Sequence, residues 1–166
     1  MDRSKCEVLL IDDDLGDRLL IRKALLETSW VKAVQIAKSP QQAIRMLYRL
    51  GVYRKSPTPG LILCDFHMPE GGGMSVLEYV KAKRQLRRLP IAMFSSDADS
   101  RTIGDCYGRG ATIYLRKPQN FETLQRMMEE LGNLWKKVEK DRRGLLRSRI
   151  LSWWRPRETA GQMYRS

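Results

Sequence analysis

A chain of 166 residues, 42% of them hydrophobic, is long enough for one well-buried domain, too short for two ordinary ones and too apolar for wholesale disorder. No apolar run approaches the roughly 18 to 20 residues that a membrane-spanning helix needs, and Asp2, Arg3 and Lys5 stand where a signal peptide would begin, so a cytoplasmic protein without a transmembrane segment is expected. The net charge of +12 is uneven: residues 136–166 hold ten Lys or Arg against three acids, leaving +5 on residues 1–135.

In chain order, Val8-Leu9-Leu10-Ile11 reads as a first strand that stops at Asp12 and Asp13. Leu19, Leu20, Ala24 and Leu25 recur at helical spacing and lead to a β-branched run with Val34 and Ile36. Ser39-Pro40 starts a second helix, because serine caps free amides and proline suits the first turn. Ala43, Ile44, Leu47 and Tyr48 share one of its sides, and a Gly/Pro-rich loop spans 51–60. Leu61-Ile62-Leu63-Cys64 is a third strand ending at Asp65; Gly71-Gly72-Gly73 then breaks the chain before a helix over 74–84 with Val76, Leu77 and Val80 inward. Ile91 to Phe94 runs into Ser95, a helix over 98–108 follows, and Ala111 to Arg116 runs into Lys117-Pro118. Asn120 caps a last helix with Phe121, Leu124, Met127, Met128 and Leu131 inward.

Five near-continuous apolar strands alternating with five helices predict a parallel sheet buried on both faces by right-handed crossovers. The expected fold is α/β: a doubly wound (βα)5 flavodoxin-like three-layer sandwich with a five-stranded sheet and a C-terminal helical extension. Cys6, Cys64 and Cys106 lack CxxC spacing, so reduced, buried thiols are expected rather than a disulfide framework or a zinc site.

In such a sheet the carboxyl ends of the strands face one crevice, where ligands bind. Asp12, Asp13 and Asp65 would supply hard oxygen ligands for Mg²⁺, since adjacent carboxylates are costly unless a cation neutralises them. The plainer reading has Asp12, Asp13 and Asp14 capping the next helix. Asp65 precedes Phe66-His67-Met68-Pro69 and three glycines, and a carboxylate at such an accessible mouth can attack phosphorus and form an acyl phosphate. Lys117 can neutralise a phosphoryl oxygen or pair with Asp65, and its bond to Pro118 can take the cis form. Ser95 offers a hydroxyl. Each residue alone is also compatible with an ordinary turn or cap.

Taken together, residues 5 to about 135 resemble the receiver domain of two-component response regulators. The resemblance rests on the acidic pair Asp12 and Asp13, Asp65 at the phosphoacceptor position, Ser95 at the hydroxyl position, Tyr114 at the aromatic switch position, and Lys117 before Pro118. Leu10-Ile11-Asp12-Asp13-Asp14-Leu15-Gly16-Asp17-Arg18 and Leu131 to Trp135 look most like the standalone regulators of phytochrome-type histidine kinases. The resemblance implies a non-enzymatic module that accepts a phosphoryl group from a histidine kinase or histidine phosphotransfer domain onto Asp65. It also implies Mg²⁺ held by Asp13, Asp65 and the backbone carbonyl of His67, with Asp12 assisting through water. Ser95 and Lys117 would stabilise the phosphoryl oxygens, and movement of Ser95 would let Tyr114 turn inward. Ser95 replaces the more frequent threonine, and His67 and Asp97 stand where side chains affect access of hydrolytic water.

Two other readings compete. Asp12-x-Asp14 with Lys117 is compatible with an aspartate-nucleophile phosphohydrolase of the haloacid dehalogenase type, but Gln119-Asn120 stand where that group needs a further acidic pair. A degenerate receiver used as a dimerisation scaffold is opposed by the intact set of site residues. In the basic extension 136–166, too short for a DNA-binding domain, Leu146, Ile150, Trp153 and Trp154 form an amphipathic stripe. Docking on a partner or in a homodimer is favoured for that stripe over packing on the chain's own receiver, membrane contact or nucleic-acid binding.

Overall fold

The structure, a computed structural model, describes residues 5–97 and 99–142. Along these residues run β1 (Cys6–Ile11), α1 (Leu15–Leu26), β2 (Val31–Ala37), α2 (Pro40–Leu47), β3 (Leu61–Asp65) and α3 (Gly72–Ala82). They continue with β4 (Ile91–Ser95), α4 (Ser100–Gly108), β5 (Ile113–Arg116) and α5 (Phe121–Arg142). The strands form one sheet in the order β2-β1-β3-β4-β5, and every pair is parallel. This is the doubly wound order of flavodoxin-like folds, as the alternating pattern predicts.

Side-chain alternation divides the core between the two faces of the sheet. On one face Val8, Leu10, Leu63 and Phe94 pack with Ile21, Ala24 and Leu25 of α1 and with Leu124, Met127, Met128 and Leu131 of α5. On the other, Leu9, Ile11, Ile62 and Met93 pack with Ala43 and Met46 of α2, Val76, Leu77 and Val80 of α3, and Cys106 of α4. The three cysteines are free and buried.

The predicted caps form. Ser39 Oγ accepts from Gln42 N at 3.2 Å with Pro40 in the first turn, and Asn120 Oδ1 accepts from Thr123 N at 2.8 Å. Elsewhere the local reading is corrected. Leu19 and Leu20 are 59% and 51% exposed, because α1 buries Arg18, Ile21, Ala24 and Leu25 instead. With Ile21 turned to the sheet, a step back of two residues is about 200° around the helix, so Leu19 must face outward. Gly72 and Gly73 belong to the first turn of α3, and Gly71 precedes it with φ 93°. The loop 51–60 contains a 3₁₀ turn, Gly51–Tyr53, and no peptide bond among the described residues is cis, Lys117–Pro118 included. Finally, α5 runs unbroken through position 135 to Arg142, and Trp135 is part of the core. The tail stripe of Leu146, Ile150, Trp153 and Trp154 lies outside the described residues.

Candidate functional site

Strand register assembles the site. Ile11 stands beside Cys64, so the next residues, Asp12 and Asp65, are neighbours; Asp65 stands beside Phe94, and Ser95 beside Arg116. Lys117 follows at once, its amide donating to the Ser95 carbonyl at 2.7 Å. Asp12 and Asp65 are buried, at 1% and 5% exposure, while Asp13 is exposed at the rim.

Lys117 Nζ lies 2.6 Å from Asp17 Oδ2, 2.8 Å from Asp65 Oδ1 and 3.1 Å from Asp12 Oδ2. One ammonium therefore serves three carboxylates. Burial, with the Asp65 charge beside it, pushes the Asp12 carboxyl up to about 6 in spite of Lys117. Burial likewise raises Asp65 against the opposing hydrogen bond and charge of Lys117. For Lys117 burial alone would lower the pKa, but its hydrogen bonds to Asp17 and Asp65 and the charges of Asp12 and Asp65 outweigh it and raise the value. The lysine is thus firmly a cation and the carboxylates remain under-neutralised.

That imbalance suits a hard divalent cation. Carboxylate oxygens of Asp12, Asp13 and Asp65 all lie within 4.8 Å of one another, the one such group of potential metal ligands among the described residues. A few carboxylates at a partly open rim, leaving room for water and phosphate oxygens, match the preference of Mg²⁺. Asp14 stays out of this group: its Oδ1 accepts from Asp17 N at 2.7 Å as the cap of α1. The phosphohydrolase pattern built on Asp12-x-Asp14 therefore loses its second carboxylate to the helix.

The remaining predicted residues form a second layer. Ser95 is fully buried and its Oγ accepts from Asp97 N at 3.1 Å, while Tyr114 Oη donates to the Asp97 carbonyl at 2.7 Å. The Tyr114 ring is buried in the core on the face that α2, α3 and α4 cover. His67 lies on the loop that follows Asp65, and its Nε2 is 3.1 Å from Asp97 Oδ2. The two positions read as influencing water access thus meet across the mouth. Gly73 holds α3 against the acceptor strand: its amide donates to Phe66 O at 3.0 Å, and a Cβ there would fall 2.2 Å from the Asp65 carbonyl oxygen.

Two residues were not singled out by sequence. Asp17 pairs with Lys117, and Arg18, buried, donates from Nη1 to the Asp12 carbonyl at 2.9 Å. Both lie in the segment Leu10 to Arg18 that carried the narrower resemblance; the contact of Asp17 spans 100 positions and leaves no mark in local spacing, while that of Arg18 spans six and ends on a backbone carbonyl, which no side-chain pattern records.

A family model described as the response regulator receiver domain matches residues 8–129. The chain belongs to that family. It is 27% identical over 128 residues to response regulator Rcp1 of Synechocystis, an alignment covering 77% of this chain and 87% of Rcp1. Among solved structures it resembles the phosphorylated cyanobacterial phytochrome response regulator RcpA, with a TM-score of 0.74, 25% identity, and coverage of 81% of this chain and 96% of that one. It also resembles the Mn²⁺-bound form of Rcp1, with a TM-score of 0.71, 26% identity, and coverage of 78% and 94%. No helix among the described residues is long and apolar enough to cross a membrane.

Proposed function

We propose that this response regulator accepts a phosphoryl group on Asp65 from the phosphohistidine of a histidine kinase or phosphotransfer domain, and signals through the contacts that the change permits. The observation that carries the reading is a carboxylate at the end of a parallel strand, 2.8 Å from a lysine ammonium and beside two further acids. In the transfer a carboxylate oxygen of Asp65 forms a bond to phosphorus while the P–N bond of the donor breaks, its electron pair returning to the imidazole.

Asp12, Asp13 and Asp65 are the residues that would hold Mg²⁺, with the backbone carbonyl of His67 on the adjoining loop. When bound, the ion supplies the positive charge that offsets the carboxylates and the phosphoryl oxygens. Lys117 shares that task from the end of β5, at the same edge of the sheet. Ser95 moves to donate its hydroxyl to a phosphoryl oxygen, and that movement loosens the contact its Oγ makes as acceptor from Asp97 N. The Asp97 backbone then carries the change to Tyr114, whose hydroxyl is bound to the carbonyl of the same residue.

The likeness to RcpA and Rcp1 supports a kinase of the phytochrome type as donor. A cytoplasmic location, a homodimer and docking by the basic extension complete the reading. The deciding experiment is intact mass and native size of wild type and Asp65→Asn after incubation with Mg²⁺ and acetyl phosphate. A phosphoryl adduct in wild type alone is expected, and a change in size on loading reads the dimer. An adduct of equal yield on Asp65→Asn would move the acceptor elsewhere. Turnover of small phosphate esters would favour the phosphohydrolase instead.

A further inference from the structure

The charge of +5 on residues 1–135 is itself uneven. Between Glu27 and Asp65, and again between Glu78 and Asp97, the chain holds no acid, and these two segments carry six and five Lys or Arg. The fold brings their densest parts together. Helices α2 and α3 lie on one face of the sheet and run back from the acceptor edge, so both end at the edge where the strands begin. Tyr48, the C-cap of α2, meets Tyr79 in the last turn of α3 with ring centroids 5.7 Å apart, and Lys83 Nζ lies 5.4 Å from the Tyr79 ring centre. Around this joint Arg45, Arg49, Arg54 and Lys55 are exposed on the α2 side, and Lys83, Arg84, Arg87 and Arg88 on the α3 side. No carboxylate pairs with any of the eight among the described residues; Glu7 is taken by Lys32 and Glu78 by Arg109.

On the α2 side of this basic field stand two aliphatic side chains with no core to join. Helix α2 closes with Leu50 N donating to Arg45 O at 2.9 Å and Arg49 N to Met46 O at 3.0 Å, and Arg49 takes φ 55°, where glycine is the ordinary residue. In such a closure the apolar residue that follows commonly packs back on the helix. Leu50 instead is 51% exposed, and Val52, at 87%, is the most exposed large apolar side chain among the described residues. The turn that presents them is held in place: Tyr53 packs on the core and its Oη accepts from Gln42 Nε2 at 2.9 Å, while Arg49 Nη2 donates to Thr58 Oγ1 at 2.6 Å.

Cations around a fixed aliphatic tip match an anionic lipid surface, whose headgroups attract the charges and whose acyl boundary takes the tip. Nucleic acid fits less well, because bases stack on free aromatic faces. Here Tyr48 and Tyr79 are turned on each other, with Lys83 over the Tyr79 ring. We propose that the α2–α3 end of the receiver docks on an anionic lipid bilayer, with Leu50 and Val52 entering the headgroup boundary. Asp65 lies at the other edge of the sheet, so the acceptor faces water while the protein is on the membrane.

The test is sedimentation of the full-length protein with vesicles of phosphatidylcholine, with and without phosphatidylglycerol. Wild type should bind the anionic vesicles alone, and less as salt rises. Arg54→Gln, Lys55→Gln, Arg84→Gln and Arg87→Gln together should weaken binding at least about tenfold, each such charge contributing about a factor of five. The same number of charges removed from the extension, by Arg147→Gln, Arg149→Gln, Arg155→Gln and Arg157→Gln, should weaken it less. Leu50→Ser with Val52→Ser should weaken vesicle binding about fivefold and leave binding to heparin, a soluble polyanion, unchanged. Beryllofluoride, a mimic of the phosphoryl group, should bind with Mg²⁺ to the vesicle-bound protein as it does to the free one. A patch variant no weaker than the extension variant, unaltered vesicle binding by the serine pair, or beryllofluoride uptake blocked by vesicles overturns the proposal. So does a wild type that ignores vesicles and binds duplex DNA through the patch, which would make the partner a nucleic acid.

Discussion

Asp12 illustrates how the site prepares for a cation before one arrives. Its folded pKa, about 6, lies above the ordinary 3.8, so the fold holds the protonated form better than the ionised one. That preference is fully present below about pH 4 and is lost as the pH rises through about 6, an effect on the order of 3 kcal/mol for two pH units. At neutral pH the metal-free protein therefore carries an ionised, poorly neutralised pocket, and a divalent cation relieves it. Since metal binding requires the carboxylate, Mg²⁺ affinity should weaken as the pH falls through about 6. Titration calorimetry at pH 7.5 and 5.5 checks the sign, and Mg²⁺ should raise the melting temperature more at the higher pH. Gly73 matters through absence of bulk. In Gly73→Ala the new Cβ would meet the Asp65 carbonyl oxygen at 2.2 Å and Met93 Cε at 2.8 Å. Overpacking of this kind costs about 1 to 3 kcal/mol. Because the strain falls on the acceptor's own backbone, phosphorylation by acetyl phosphate should slow as well as the melting temperature fall.

Among the elements, α5 is set by one pairing of small and large. Trp30 is buried and donates from Nε1 to the Met128 carbonyl at 3.0 Å, and a Cβ on Gly132 would lie 2.2 to 2.6 Å from its ring. Alanine ordinarily helps a helix by about 1 kcal/mol over glycine. In Gly132→Ala the clash should reverse that sign and destabilise by roughly 1 to 3 kcal/mol in chemical denaturation. The same comparison explains which parts of the helices were legible beforehand. Helix starts announced themselves through Ser39-Pro40 and Asn120, whose side chains act on amides only three residues away. The inner face of α1 did not, because leucines at 15, 19, 20 and 26 outnumber the apolar residues that reach the sheet. Periodicity cannot choose between two apolar stripes without knowing where the sheet lies. The far end of α5 left no such mark: the helix runs on to Arg142 through a charged stretch with no capping residue or proline to announce its end.

At the scale of the whole molecule, parallel register gathers residues that the chain scatters. Asp12, Asp65, Ser95 and Lys117 were legible because each stands at the end of an apolar run, and strand ends in such a sheet share one edge. Asp17 was not legible, since it sits inside a helix and meets Lys117 only through tertiary placement. The same polarity keeps the opposite edge of the sheet clear of the acceptor's chemistry. There Trp30 and Trp135 stack with ring centroids 5.8 Å apart, beside the start of β1 and far along the strands from Asp65. In a protein with Trp153 and Trp154 replaced by phenylalanine, this buried pair supplies all the indole emission. Its spectrum should stay constant when Mg²⁺ and beryllofluoride are added and shift to the red only in denaturant. The stack thus provides a built-in optical gauge of folding that is blind to signalling.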